Sequence, residues 1–100
     1  MAGEQLFAVI RTRGAGWNGS QPLQGQRDWA GHATFMNALA KEGFVALGGP
    51  LDGTPDVLLI IRAKSRDEIL TRLGADPWTT MDLLRVTRIT PWNLRLGSID

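Results

Sequence analysis

Cysteine and tyrosine are absent from this chain of 100 residues, and histidine occurs only once. The absence of cysteine excludes disulfide bonds, thiolate catalysis and cysteine-ligated metal centres. A single histidine argues against a zinc site formed by this chain alone. We therefore expect a protein that uses no metal and no cofactor.

The chain also lacks a long apolar run and an excess of charge of one sign. The longest aliphatic run, VLLII at 57–61, is far shorter than a membrane span, and Glu4 lies where a signal peptide carries positive charge. Eleven basic and ten acidic residues give a net charge of +1, which favours neither nucleic acid nor a membrane surface as a partner. We expect one cytoplasmic domain over residues 1–100.

Hydrophobic patterns and turn residues predict four strands and two main helices. Strands are expected at 5–13, 44–51 and 56–63 and from residue 84 onward, with helices from about 23 to 42 and from Ser65 to Gly74. Ser65 with Glu68 forms a capping-box pattern, and Asp76 before Pro77 predicts the cap of a further helical turn. The order βαββαβ predicts an α+β ferredoxin-like fold, with an antiparallel four-stranded sheet and both helices on one face.

The run VLLII has apolar side chains on both faces of its strand. In an antiparallel sheet this pattern predicts that the face away from the helices is buried as well. Because the chain has no residues left to cover that face, we expect a homodimer.

The only histidine, His32, lies within the apolar arc of the first predicted helix, between Leu39 and Met36. One interpretation is a structural core histidine that bonds to a backbone carbonyl or to Asp28, one turn earlier. The other is a general base in a pocket between helix and sheet, where a carboxylate such as Asp76 orients it. Asp76 also has a purely structural interpretation as a helix cap.

Several short motifs, taken in order, resemble the YciI-like (YCII-related) family. They are HATFM, GGPL, VLLII, a helix that begins at a serine, ADPW and ITPW, and together they span about residues 26–92. The resemblance implies a ferredoxin-like protomer that dimerises into an α+β barrel, and a His–Asp dyad formed by His32 and Asp76. It also implies lyase chemistry on small ring compounds, including removal of chloride from a hydroxylated aromatic. Trp29 departs from the family pattern, because many relatives have an arginine there.

Five further residues are candidates for substrate binding. Gly49 and Pro50 lie in GGPL at the end of the second predicted strand, where Gly48 and Gly49 would let a ligand approach the backbone, although the motif can simply end the strand. The stretch 11–19 predicts a flexible loop; the alternative for the same stretch is a lid in which Arg11, Arg13 and Trp17 form an anion-binding rim. The candidates are Arg11, Met36, Gly49, Pro50 and Trp78.

These features lead to two hypotheses of different classes. The first is a small cofactor-free enzyme with lyase or isomerase chemistry, in which His32 transfers a proton and Asp76 holds its tautomer. The alternative is a non-catalytic module that binds a small molecule in the same dimeric barrel, without a titrating histidine.

Overall fold

Four strands and two main helices follow one another in the order that the sequence predicts. The computed structural model describes residues 4–99. Its strands are β1 (Gln5–Arg13), β2 (Val45–Pro50), β3 (Asp56–Ala63) and β4 (Leu84–Pro91). Its helices are α1 (Trp29–Lys41), α2 (Arg66–Gly74) and the short α3 (Pro77–Thr80), and a single 3-10 turn covers Leu23–Gly25.

The strands form one antiparallel sheet in the order β2-β3-β1-β4. β1 occupies the centre beside β3, with Phe7 opposite Ile61 and Val9 opposite Leu59. The register between β1 and β4 shifts between Ile10 and Arg11, and a bulge of this kind bends the strand locally. The predicted α+β ferredoxin-like fold is confirmed.

Both main helices pack on the same face of this sheet. The principal core joins apolar side chains of β1 and β3 to those of α1 and α2; its central members are Phe7, Val9, Leu39, Leu59, Ile61, Ile69 and Leu73. A smaller cluster surrounds Trp78, with Leu83 and Leu84 as its other buried members. This second cluster lies beside the start of α3 and supports the candidate site.

The start of α1 differs from the prediction. The expected helix began at about residue 23, whereas the helix begins at Trp29, directly after Asp28. Asp28 has φ 52°, in the left-handed region, and its carboxylate accepts a hydrogen bond from the backbone N–H of Gly31. This turn of the backbone separates the helix from the 3-10 turn before it, so the longer helix was wrong. The helix ends as expected before Gly43, which has φ 87°.

The two other predicted helix caps are confirmed. Ser65 accepts a hydrogen bond from the backbone N–H of Glu68 at the start of α2. Asp76 accepts one from the backbone N–H of Trp78, and Pro77 occupies the first position of α3. The short connection between α2 and α3 therefore holds Asp76 at the helix face of the sheet.

No helix within residues 4–99 covers the second face of the sheet. Apolar side chains on this open face come from β1, β2 and β3, as the strand registers show; they are Ala8, Ile10, Leu47, Leu58 and Ile60. Ile60 is buried, whereas Leu47 is 56% exposed. None of the helices in this part of the chain is long and apolar enough to cross a membrane.

Candidate active site

His32 and Asp76 face each other in the space between α1 and α3. The Nδ1 atom of His32 lies 2.9 Å from Oδ2 of Asp76 and 3.1 Å from Oδ1. Both residues are buried, and Asp76 has no exposed surface. The structure thus brings together the two residues that the sequence singled out, 44 positions apart.

Asp76 accepts hydrogen bonds from three different parts of the chain. Besides His32, the guanidinium of Arg11 donates from Nη1 to Oδ2 over 2.8 Å, and the backbone N–H of Trp78 donates to Oδ1 over 2.9 Å. Burial alone would raise the pKa of Asp76. The hydrogen bonds from His32, Arg11 and Trp78, together with the charge of Arg11, outweigh burial and hold the pKa of Asp76 below its ordinary value of 3.8.

Arg11 is a buried strand residue and does not belong to a flexible loop. It lies in β1 and is 1% exposed, and its Nη2 donates to Oγ1 of Thr79 over 2.9 Å. The alternative of a lid over residues 11–19 does not hold for Arg11, because Arg11 points to the helix face with Phe7 and Val9. The alternation of buried and less buried side chains along β1 is the sequence signal that places Arg11 on the buried face. Its Nε is buried without a partner among the described residues, and its role in ligand binding stays a prediction.

Trp78 lies behind His32 rather than in a position to touch a ligand. Its indole is fully buried and stacks on the imidazole, with ring centroids 3.8 Å apart and an angle of 4° between the planes. The indole Nε1 donates to the carbonyl oxygen of Arg27 over 2.6 Å. The expectation that Trp78 binds substrate is corrected, because α3 turns its side chain into the second core cluster.

A cavity of about 290 Å³ opens beside His32, between α1 and β2. Apolar side chains make up most of its walls, together with the backbone of β2. The residues lining it from α1, β2 and the sheet include Trp29, His32, Met36, Asn37, Arg11, Gly49, Pro50, Leu59 and Leu84. Four of the five candidate binding residues therefore border the cavity, and Trp78 does not.

The ring of His32 borders this cavity, and its second nitrogen, Nε2, lies on the side of the ring away from the Asp76 contact at Nδ1. Nε2 makes no hydrogen bond with any of residues 4–99. It is not completely buried, because Nε of Arg11 is the only fully buried side-chain nitrogen or oxygen without a partner in that range. A neutral imidazole whose Nδ1–H donates to a carboxylate has a lone pair on Nε2. His32 can therefore accept a proton from a molecule in the cavity.

Asp28, the alternative partner of His32, points elsewhere. Its carboxylate accepts the backbone N–H of Gly31, and its contact with His32 is the backbone hydrogen bond of the helix. The left-handed backbone that begins α1 turns the Asp28 side chain onto the cap. Asp76 is thus the carboxylate that meets the imidazole.

The segment before α1 packs against the site, and most of its contacts could not be predicted from the sequence. Trp17 meets Trp78 edge-to-face, with ring centroids 5.7 Å apart, so it is a packed residue instead of a lid residue. The buried side chain of Gln26 bonds to backbone groups of Asn18 and Gln21 and so organises the loop. Asn37 and Leu23 in the cavity wall were also missed, because no sequence signal marks a cavity edge. No group of three metal-ligating side chains occurs among the described residues.

Comparisons with known proteins show a likeness in fold. No family model and no curated protein matches the chain. One similar solved structure is 5-chloro-2-hydroxyhydroquinone dehydrochlorinase from Burkholderia phenoliruptrix AC1100, in complex with 2,5-dihydroxybenzoquinone. It is 22% identical, the match covers 93% of this chain and 96% of that chain, and the TM-score is 0.64. At this identity the likeness establishes the ferredoxin-like architecture.

Proposed function

We propose that the protein is a cofactor-free enzyme that performs lyase or isomerase chemistry on a small ring compound, as the dehydrochlorinase-type members of the YciI-like family do. The observation that carries the proposal is the contact of His32 Nδ1 with Asp76 at the wall of an apolar cavity. The similar solved structure supports the same class of reaction, since that protein is a dehydrochlorinase. Most of the cavity wall suits a ring rather than a polar chain.

In the proposed mechanism His32 is the general base. Its Nε2 takes a proton from the substrate, and Asp76 holds the Nδ1–H tautomer and stabilises the imidazolium that forms. Arg11 keeps Asp76 ionised through the 2.8 Å ion pair. For a chlorinated, hydroxylated ring, a hydroxyl proton first moves to the carbon that bears the chlorine, which gives the keto tautomer. His32 then takes the proton of a second hydroxyl while chloride leaves that tetrahedral carbon with the electron pair of its bond, so that the ring loses HCl and becomes a quinone. The proton on His32 then returns to solvent.

The charges in the cavity wall favour a neutral substrate. Arg11 supplies the only Lys or Arg side chain among the residues that line the cavity, and its charge is already paired with Asp76. A carboxylate or phosphate in the cavity would lose its hydration without gaining an unpaired cation. We therefore expect a phenol or quinol to be accepted and the corresponding ring carboxylate to be rejected.

The test is anaerobic chloride release from 5-chloro-2-hydroxyhydroquinone, together with deuterium exchange at acidic C–H groups of cyclic ketones in D₂O. Wild type should accelerate at least one of these reactions. His32→Gln should abolish that acceleration, and Asp76→Asn should reduce it by roughly 10²-fold or more, the range expected for acid–base catalysis. Thr34→Ala, an exposed change on α1, is the control.

Binding of the ring compounds with no acceleration of either reaction would refute the enzyme and favour the binding-module alternative. Equal rates in wild type and in His32→Gln would refute His32 as the base. Binding is followed through the ring protons of His32, which give one set of signals because the chain has a single histidine.

We also propose that two copies of the chain pack through the open face of the sheet. The support is the apolar set Ala8, Ile10, Leu47 and Leu58 on that face, which an isolated protomer leaves at least partly exposed. Leu58→Asp should give a monomer in sedimentation experiments, whereas Leu70→Asp, at an exposed leucine on α2, should leave a dimer. A monomeric wild type would refute this assembly.

A further inference from the structure

The stack between His32 and Trp78 differs from the other aromatic contacts around it. Trp17 and Trp29 meet Trp78 with centroid distances of 5.7 and 5.9 Å and interplanar angles of 89° and 48°. These values lie in the range of about 4.5–7 Å that aromatic pairs prefer. The imidazole of His32 lies parallel to the indole at 3.8 Å, which is closer and flatter.

This geometry suits a charged imidazole better than a neutral one. Two neutral rings that meet face to face bring their negative faces together, and neutral aromatic pairs therefore prefer an offset or an edge-to-face contact. A cation over the face of a tryptophan is attracted instead, and tryptophan provides the strongest such attraction of any side chain. The indole face therefore favours the imidazolium form of His32.

Two hydrogen bonds fix the position of Trp78. The indole Nε1 donates to the carbonyl oxygen of Arg27, just before α1, over 2.6 Å. The backbone N–H donates to Oδ1 of Asp76 over 2.9 Å. Trp17 packs against the indole in an edge-to-face contact. One residue thus touches both members of the His32–Asp76 pair and anchors them to the start of α1.

The charged groups near His32 leave room for a contribution from the indole. Asp76 faces Nδ1 from the turn before α3, and Arg11 reaches the same carboxylate oxygen from β1. Arg11 and Asp76 together carry no net charge, so Arg11 offsets part of the support that Asp76 gives to an imidazolium. The carboxylate of Asp28 is engaged by the backbone N–H of Gly31.

We propose that Trp78 is a positioning residue of the His32–Asp76 pair, and that its indole face stabilises the imidazolium of His32. The proposal rests on the proposed function only for the statement that His32 transfers protons during a reaction. The effect of the stack on His32 exists without substrate and is measured without it. This property separates the two proposals experimentally.

The test is an NMR titration of the His32 ring protons against pH in wild type, Trp78→Phe and Trp78→Leu. The titration midpoint should move to lower pH by about 0.5–1 pH unit in Trp78→Leu, the size of a partly desolvated cation–π contact. Trp78→Phe should shift it in the same direction by less, because a weaker aromatic face remains. Trp17→Leu, which changes the packing of Trp78 but not the stack, is the matched control and should not shift it.

Because Trp78 is fully buried, a second experiment leaves its size and hydrogen bonds almost unchanged. Protein labelled with 5-fluorotryptophan has electron-poor indole faces, and its His32 midpoint should also move to lower pH. The label also changes Trp29, whose indole centroid lies 6.0 Å from that of the His32 ring. The same titration of labelled Trp29→Phe removes this second contribution. Unchanged midpoints in Trp78→Phe and in labelled protein overturn the proposal, as does a shift of equal size in Trp17→Leu. A stack-dependent midpoint without any proton-transfer activity would refute only the proposed function.

Discussion

Replacing Asp76 with asparagine should destabilise the protein strongly at neutral pH and hardly at all in acid. Asparagine caps a helix about as well as aspartate and keeps a hydrogen-bond acceptor for His32, so the change removes mainly the negative charge. The positive charge of Arg11, 1% exposed, then remains buried without its partner. Breaking a buried pair in this way costs about 3–5 kcal/mol. A domain of ordinary stability survives such a loss, so the variant can be measured.

The pH dependence follows from the pKa of Asp76. Since the folded state holds this pKa below 3.8, the unfolded chain binds a proton on Asp76 more readily than the folded chain does. The charge of Asp76 therefore contributes its full stability above about pH 4, and this stability is lost as the pH falls through the lowered pKa. Below that pH wild type also carries an uncharged residue 76, and the difference from Asp76→Asn should shrink toward zero.

The assay is urea unfolding of wild type and Asp76→Asn at pH 7 and at several values between 4 and 2. Comparing the two proteins at each pH cancels the titration of the other carboxyl groups. Asp82→Asn is the control: the side chain of Asp82 is 42% exposed and pairs with Arg85, and its φ of 56° is one that asparagine tolerates. Its loss of stability should be much smaller. A loss below about 1 kcal/mol in Asp76→Asn at pH 7, or a loss that does not change in acid, would refute the buried pair.

Two further predictions concern the frame of the site. Gly48→Ala should destabilise by about 1–3 kcal/mol, because its Cβ would lie 2.7 Å from Cδ2 of buried Leu59, whereas Gly49→Ala has open space and should be neutral or slightly stabilising. Equal unfolding curves for the two variants would contradict this packing. Thr79→Val removes the acceptor of Arg11 Nη2 and should cost about 1–3 kcal/mol, against less than about 0.5 kcal/mol for the exposed Thr80→Val. If both threonine variants unfold alike in urea, Arg11 does not depend on Thr79.

The fold could be predicted because its signals are local. Alternation in β1, the apolar run in β3 and the caps at Ser65 and Asp76 each depend on residues within a few positions of one another. Together they define the order of elements, and that order corresponds to a single familiar sheet arrangement. The exception was the start of α1, where the left-handed Asp28 ends a loop whose sequence also fits a helix.

The site could be predicted only in part. His32 was a candidate because it is the only imidazole of the chain and lies on an apolar helix face. Asp76 was a candidate because it directly precedes a proline. The ion pair between Arg11 and Asp76 joins residues 65 positions apart, and no local pattern states which buried groups will meet across a sheet. The position of Trp78 behind His32 depends in the same way on how α3 packs against α1.

The most direct test of His32 as a general base oriented by Asp76 is the protonation of its ring, read from the two nitrogen signals by ¹⁵N NMR at a pH where the ring is neutral. We expect a proton on Nδ1, where it donates to Asp76, and an unprotonated Nε2 that can accept a proton from a molecule in the cavity. The result that would contradict it is a neutral ring with its proton on Nε2, because His32 would then have no lone pair to offer a substrate.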